Sequence, residues 1–304
     1  MVERIGFIGL GLMGHGIAGN LLKKGFALTV LGHKNRAPVD DLVKRGAREA
    51  KNPAEIASAS DVVFLCVTGS REVEALVRGP DGLKAGAHKD LVIVDCSTSD
   101  PNSTIALAAE LKPLGVAYCD APLGGTPANA EEGKLSVMVG CEAGLWPRLA
   151  PIFAGFTTKA TRLGPAGDGH KMKLIMNFFG MGYASIYAEA LALGRKVGLS
   201  PQTIDAAMRG TRMDCGFYQT FFRWVLERDR EAHKFTLRNA HKDMGYLVAM
   251  AEGAKLAHPM GSAIEAYYAR AVAAGHGEDY VPMLADFVAA TNGVALTDPA
   301  RAAE

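Results

Sequence analysis

One run constrains this chain more than any other: Gly9-Leu10-Gly11-Leu12-Met13-Gly14, set between an apolar stretch, Arg4 to Ile8, and an amphipathic one that continues to Lys24. It reads as strand, turn and helix. Gly9 permits a tight turn, Gly11 lets the backbone approach a pyrophosphate, and Gly14 lets the helix pack closely on the strand. The helix start then presents free N–H groups and the positive end of its dipole. Three glycines alone are a weak signal and fit a plain turn; between a strand and a helix at the start of a βαβ pattern they become a strong one. The reading places a dinucleotide on Gly9, Leu10, Gly11, Leu12, Met13 and Gly14.

The rest of the first half fits that start. Short apolar runs at Ala27–Leu31, Asp61–Val67, Leu91–Asp95, Val116–Asp120, Leu135–Val139 and near Thr158–Leu163 predict strands. Helical spacing at Asp40–Arg45, Glu72–Val77 and Pro101–Leu111 falls between them. This alternation predicts a doubly wound, mostly parallel Rossmann sheet, an α/β domain over residues 1–164. Beyond Gly164 the period becomes helical. His170 to Val197 predicts one helix of about 40 Å, too long to pack on one small sheet. Pro201–Arg209, Gly216–Glu227, Leu237–Ala254, Pro259–Ala274 and Tyr280–Thr291 predict further helices, making residues 165–304 an all-α substrate and oligomerisation domain. The tail after Asp298 is expected to fray.

Composition narrows the function by exclusion. The 304 residues carry a net charge of +1, so no global field draws the chain to nucleic acid or to a membrane. No apolar run approaches the length of a membrane span, and no secretory signal opens the sequence. The five cysteines form no C-x-x-C pair and no disulfide framework, which points to the cytoplasm. The eight histidines show no ligand spacing, so no metal site is expected.

The end of the second strand reads Leu31-Gly32-His33-Lys34-Asn35-Arg36. NAD-binding loops usually place an acid here for the ribose 2′-hydroxyl. This chain has two full positive charges instead. Lys34 and Arg36 would attract a 2′-phosphate, which favours NADP(H) over NAD(H); the alternative is a solvated basic turn. His33, Lys34, and Val67-Thr68 after the next central strand complete the expected cofactor contacts.

Four stretches in order, from Ile5 to about Pro259, resemble the β-hydroxyacid dehydrogenases, which include 3-hydroxyisobutyrate dehydrogenase and tartronate semialdehyde reductase. They are Phe7 to Gly14; Asp120-Ala121-Pro122-Leu123-Gly124-Gly125-Thr126 on to Gly133; Gly167-Asp168-Gly169-His170-Lys171-Met172-Lys173 with Asn177; and His241-Lys242-Asp243. The resemblance implies that Lys173 is the catalytic lysine and that Asn177 orients substrate. It implies that the Gly124–Gly125 backbone meets the substrate carboxylate, that Ser97-Thr98 lie close to cofactor and substrate, and that Lys242 lies near the active-site cleft. Lys34 aligns with the arginine that NADP-preferring members use. The chain departs from the family where Ser-Gly-Gly is replaced by Gly124-Gly125-Thr126, where Met176 stands for the first of two asparagines, and where His33 stands for Asn or Asp. The form Gly124 to Ala130 is closer to sulfolactaldehyde reductases, which carry an arginine where this chain has Gly125.

Chemically, oxidising an alcohol needs a hydride acceptor and a base for the hydroxyl proton. Lys173 can serve if desolvation and nearby cations such as Lys171 and Lys242 bring its pKa toward neutrality. Asn177, four residues on, shares its helix face. By pattern alone a lysine on an amphipathic helix is usually a surface residue; Ser97-Thr98 could simply cap the helix at Pro101, and Glu189 suits a structural partner. The expected substrate is a small hydroxy acid or semialdehyde, and the expected assembly a homodimer or homotetramer. The rival readings are a non-catalytic NADP(H)-binding sensor and a related reductase of imines or sulfonated aldehydes.

Overall fold

The computed structural model describes residues 3–297, so the tail expected to fray beyond Asp298 lies outside them. The chain divides into two compact units, Met1–Lys173 and Leu174–Glu304.

The first unit is a sheet covered by helices. In chain order it holds β1 (Arg4–Ile8), α1 (Gly14–Lys23), β2 (Ala27–Leu31), α2 (Ala37–Lys44), β3 (Arg48–Ala50), α3 (Pro53–Ala59), β4 (Val62–Leu65) and α4 (Ser70–Arg78). Then follow β5 (Val92–Asp95), α5 (Pro101–Leu111), β6 (Ala117–Asp120), β7 (Leu123–Gly124), α6 (Pro127–Glu131), β8 (Leu135–Gly140), α7 (Trp146–Phe153) and β9 (Thr157–Gly164). The strand order is β3-β2-β1-β4-β5-β6-β8-β7, with β9 beside β8. The first six strands pair in parallel, β8 runs antiparallel to β6 and β7, and β9 pairs parallel to β8. Strand order reverses between β1 and β4, which places the open crevice of a Rossmann sheet beyond their carboxyl ends. Those ends carry Gly9 and Cys66-Val67-Thr68.

Buried side chains alternate along the central strands. Val62 and Phe64 of β4 face one layer with Phe7, Phe153 and Phe156, whereas Val63 and Leu65 face the other with Ile56, Val77 and Leu111. Phe7 and Phe64, paired in register, stack at 6.0 Å between centroids. A change such as Phe64→Ala would cost about 3–5 kcal/mol.

Some elements were illegible from hydrophobic period. Strand β3 has three mostly exposed edge residues. Helix α3 is short; Asn52 caps it by accepting from the Glu55 N–H. Helix α7 carries Pro151 in its interior. β7 is two residues long.

Helix α8 (Asp168–Lys196) is 29 residues long, starts in the first unit and continues into the second. The second unit adds α9 (Pro201–Met208), α10 (Gly216–Glu227), α11 (Leu237–Gly253), α12 (Pro259–Ala271) and α13 (Leu284–Thr291). Among the described residues no strand follows Gly164; Thr236 and Tyr280 form an isolated bridge. Two predicted helix ends are corrected. The helix expected to reach Ala274 loosens after Ala271 into a wide turn containing Gly275 at φ 95°. The last one begins at Leu284 rather than Tyr280, after a tight turn built on Pro282. Leu174, Ala188, Tyr218, Phe221, Tyr268 and Leu284 are central to this unit's core. Among the described residues no helix is long and apolar enough to cross a membrane.

Candidate active site

The dinucleotide loop has the geometry its glycines predict. Gly9 sits at φ 98°, and a methyl group there would overlap the Cys66 carbonyl at the end of the neighbouring strand. Gly11, by contrast, has open space where a side chain would stand, and Leu12 is exposed. No side chain caps α1. A helix start left uncapped beneath an open glycine fits a pyrophosphate, which would bind there through backbone N–H groups. Val67 and Thr68 lie across the switch point on the β4 side, and the Val67 N–H donates to Ser97 Oγ at 3.0 Å.

The basic turn differs from expectation. His33 and Lys34 are exposed, but the Arg36 guanidinium is bound to Glu49 of β3, at 2.5 and 2.9 Å, and to Asp40, at 3.0 Å. Arg36 holds the Glu49 carboxyl below its usual range. An acid does therefore stand beside Gly32; it comes from β3 and arrives already paired. Arg36 is thus already paired, whereas Lys34 on the same turn is exposed.

The remaining candidates of the sheet unit converge on the first turn of α8. The Asp120 carboxylate, wholly buried at the end of β6, accepts the N–H of Gly167 on one oxygen and that of His170 on the other, both at 2.7 Å. Burial pushes Asp120 up from the ordinary carboxyl value, and His170 with these N–H groups pulls it part of the way back. Three residues after Asp120, the Leu123 carbonyl accepts from Lys173 Nζ at 2.8 Å. Lys173 is half-buried, and its ammonium is thereby held at the residue that directly precedes Gly124 and Gly125 in the chain. Lys171 is paired with Asp168 at 2.9 Å.

Gly125 adopts φ 130° and is exposed. The Thr126 hydroxyl cannot replace the serine missing from this segment, because it is spent on capping α6 with Asn129. Ser136, directly opposite Gly124 in the β7–β8 pair, fills the space a side chain at 124 would take and donates to the Gly124 carbonyl at 3.3 Å. Ser97 is buried and Thr98 half-buried. They do not cap α5: Asp100 does.

In the helical unit, Asn177 Nδ2 donates to Asp243 Oδ2 at 2.6 Å, while Lys242 Nζ lies 2.8 Å from Asp243 Oδ1 and 4.9 Å from the centroid of Tyr246. A carboxylate only accepts, so this contact fixes which way the Asn177 amide faces. Phe217 packs against Gly180, one turn past Asn177 on α8, and its ring meets those of Tyr183 and His233 at 6.2 and 5.4 Å. Burial lowers His233 to about 4, so this wall is uncharged at neutral pH. Glu189, expected to be structural, accepts from the Tyr267 hydroxyl.

Residues 4–164 match the family described as the NAD binding domain of 6-phosphogluconate dehydrogenase, and residues 167–286 the one described as NAD-binding of NADP-dependent 3-hydroxyisobutyrate dehydrogenase. A 2-(hydroxymethyl)glutarate dehydrogenase of Eubacterium barkeri is 32% identical over 259 residues, covering 84% of this chain and 85% of that protein. The chain belongs to the β-hydroxyacid dehydrogenase family. It is an NAD(P)-dependent oxidoreductase acting on a CH–OH group. A 3-sulfolactaldehyde reductase of Escherichia coli (strain K12) is also 32% identical, over 90% of this chain and 91% of that protein. The nuclear factor N-PAC of Homo sapiens is 30% identical over 89% of this chain, which spans 49% of that protein's length. Among solved structures, a Mycobacterium tuberculosis 3-hydroxyisobutyrate dehydrogenase shares the fold with a TM-score of 0.83, at 23% identity over 95% of this chain and 99% of that one.

For a β-hydroxyacid dehydrogenase, the residues most easily overlooked here are Asp120, His170, Asp243, Glu49 and Ser136. Asp120, His170 and Asp243 lay within recognised motifs but carried no role of their own. Glu49 was hidden because β3 itself was not legible. Ser136 could have been found only from the register of β7 with β8.

Proposed function

We propose that this β-hydroxyacid dehydrogenase reversibly interconverts a small hydroxy acid and its semialdehyde or ketone, with NADP(H) preferred over NAD(H). The observation that carries the reading is the Lys173 ammonium held on the Leu123 carbonyl, at the residue that directly precedes Gly124 and Gly125. The glycine loop with Val67, Thr68 and Thr98 would hold a nicotinamide cofactor, which would supply or accept the hydride, and Lys242 is the further cofactor contact that the resemblance implies. As the neutral amine Lys173 takes the hydroxyl proton in oxidation, and as the ammonium it gives one to the carbonyl oxygen in reduction. Asn177, its amide set by Asp243, holds the reacting oxygen. The Gly124 and Gly125 backbone with Ser97 and Thr98 receives the substrate carboxylate, and the Ser136 hydroxyl braces that backbone from the neighbouring strand through the Gly124 carbonyl.

Lys34 supports the NADP(H) preference, with Arg36 withheld by Glu49. Exposed Ile175, Phe179, Tyr183, Ile186, Leu193 and Val197 recur at helical spacing along α8. Such a stripe is suited to a second copy, hence a homodimer or homotetramer. Reduced thiols at Cys96, Cys119 and Cys141 suit the cytoplasm.

The test is a panel of C3–C4 semialdehydes (succinic, tartronate and methylmalonate) with sulfolactaldehyde and a cyclic imine as comparators, each with NADPH and NADH. Turnover of a semialdehyde with NADPH is expected. Preference for the imine or the sulfonate would overturn the substrate class, and cofactor binding without any turnover would turn the reading to a sensor.

A further inference from the structure

We propose that His170 is a positioning residue: its imidazole sets the separation between the Ser97–Thr98 segment and Lys173, and so the rate of the chemical step. The inference rests on Lys173 being the proton donor and acceptor.

The His170 side chain is wholly enclosed. A buried imidazole needs partners at both nitrogens, and it has them. Nε2 lies 3.0 Å from the Ser97 carbonyl, which can only accept, so Nε2 carries a hydrogen. Nδ1 lies 2.8 Å from Thr104 Oγ1 on α5. Two carboxylates face the ring, Asp95 at 3.9 Å from Nε2 and Asp120 at 3.8 Å from Nδ1. Asp95 in turn accepts from the Ser97 N–H and the Ser99 hydroxyl, both at 2.8 Å, and from the Tyr118 hydroxyl at 3.3 Å. The ring therefore ties the start of α8 to the end of β5 and to α5.

Lys173 stands three residues further along the same helix, about one turn. Its ammonium has its own tether, the Leu123 carbonyl, which the chain joins to Asp120. Asp120 grips α8 through backbone N–H groups, and those survive any change of side chain at 170. The two jobs are thus separable. Asp120 holds the helix start; the His170 ring holds the Ser97–Thr98 segment against it. An apolar residue could fill the same volume but would leave the Ser97 carbonyl without its donor. A displacement of about 1 Å in such a site costs about 10²-fold in rate.

The test compares His170→Gln and His170→Asn, with melting temperature, cofactor affinity, KM, kcat and the isotope effect from a reduced cofactor deuterated at C4. Gln can carry an amide N–H to the Ser97 carbonyl; Asn is one methylene short. Gln is expected to keep kcat within about threefold. Asn is expected to lose roughly 10- to 100-fold in kcat, with cofactor affinity and KM nearly unchanged and the isotope effect rising as hydride transfer becomes limiting. A merely structural role would lower active protein without moving the isotope effect, and that result would overturn the proposal, as would Asn turning over like Gln. If His170→Asn does not fold, Thr104→Val decides: a raised isotope effect is expected, and an unchanged one overturns the inference. Lys173→Ala is assayed alongside. Near-normal turnover there sinks the reading of Lys173 itself, whereas its loss beside an unaffected His170→Asn sinks only the positioning role.

Discussion

Each unit has a buried aspartate with two partners, and the two are built differently. Asp120 in the sheet unit grips backbone N–H groups, of Gly167 and His170. Asp243 in the helical unit grips side chains, of Asn177 and Lys242. Backbone donors cannot turn away when their acceptor changes; side-chain donors can. Damage at Asp120 should therefore appear as lost stability, and damage at Asp243 as lost rate in a protein that still folds.

The largest effect should come from the groups these aspartates serve. Lys173→Ala removes the proton donor and should lower kcat by ~10²–10⁴-fold while sparing cofactor binding. Lys173→Arg should also be poor, because guanidinium holds its proton near neutral pH. Asn177→Ala removes orientation and one hydrogen bond, so it should lose less. Steady-state kinetics with direct cofactor titration checks this; equal losses at both positions would dissolve the distinction between proton transfer and alignment.

The aspartates themselves come next. Asp120→Asn turns an amide N–H₂ toward a fixed backbone donor. An unsatisfied buried donor costs about 1–3 kcal/mol, or a melting shift of several degrees in a domain of this size. Asp243→Asn removes the charge that draws the Lys242 ammonium and leaves one oxygen where Asn177 had a carboxylate, so its side-chain partners can shift, melting should move less and kcat should fall by about tenfold. Thermal melting and kcat on both variants settle it, and the reverse assignment of losses would break the comparison.

The fold was legible wherever periodicity was strong. The glycine loop with β1, β2 and α5, and the long α8, follow directly from runs such as Ile5–Ile8 and Pro101–Leu111. What stayed hidden was short or polar: β3, α6, β7 and the proline-bearing α7. The site divided in the same way. Lys173, Asn177 and Gly124–Gly125 stand in contiguous motifs, so sequence order alone exposes them. Partners such as Asp120 with His170, or Arg36 with Glu49, depend on register and topology, which no local spacing encodes.

Glu49 makes the cofactor turn a test of that hidden layer. Lys34→Asp should shift the NADPH-to-NADH ratio of kcat/KM toward NADH by roughly tenfold, the worth of one charge-assisted contact of about 1.4 kcal/mol. Glu49→Gln should release part of Arg36 and move the ratio the other way by a smaller factor. If Glu49→Gln instead favours NADH, the pair is not withholding Arg36.

The smallest effect belongs to an exposed counterpart of the two buried aspartates. His15 of α1 bridges Glu131 at 2.9 Å and Asp41 at 3.0 Å. Partial burial pulls its pKa down, but the hydrogen bonds to Glu131 and then Asp41 outweigh it, and the net direction is up from 6.5. The imidazolium is thus favoured more in the folded chain than in the unfolded one. Its contribution is complete below the unfolded value and is lost as pH rises through the raised folded one. Because solvent screens both carboxylates, which are about half exposed, the contribution should be no more than ~1 kcal/mol. Melting temperature should decline slightly as pH rises through and above about 6.5, and His15→Gln should flatten that slope. High salt should flatten it too, while leaving the consequences of Asp120→Asn in place. A steep salt-insensitive slope at His15 would mean that exposure does not separate this junction from the buried pair.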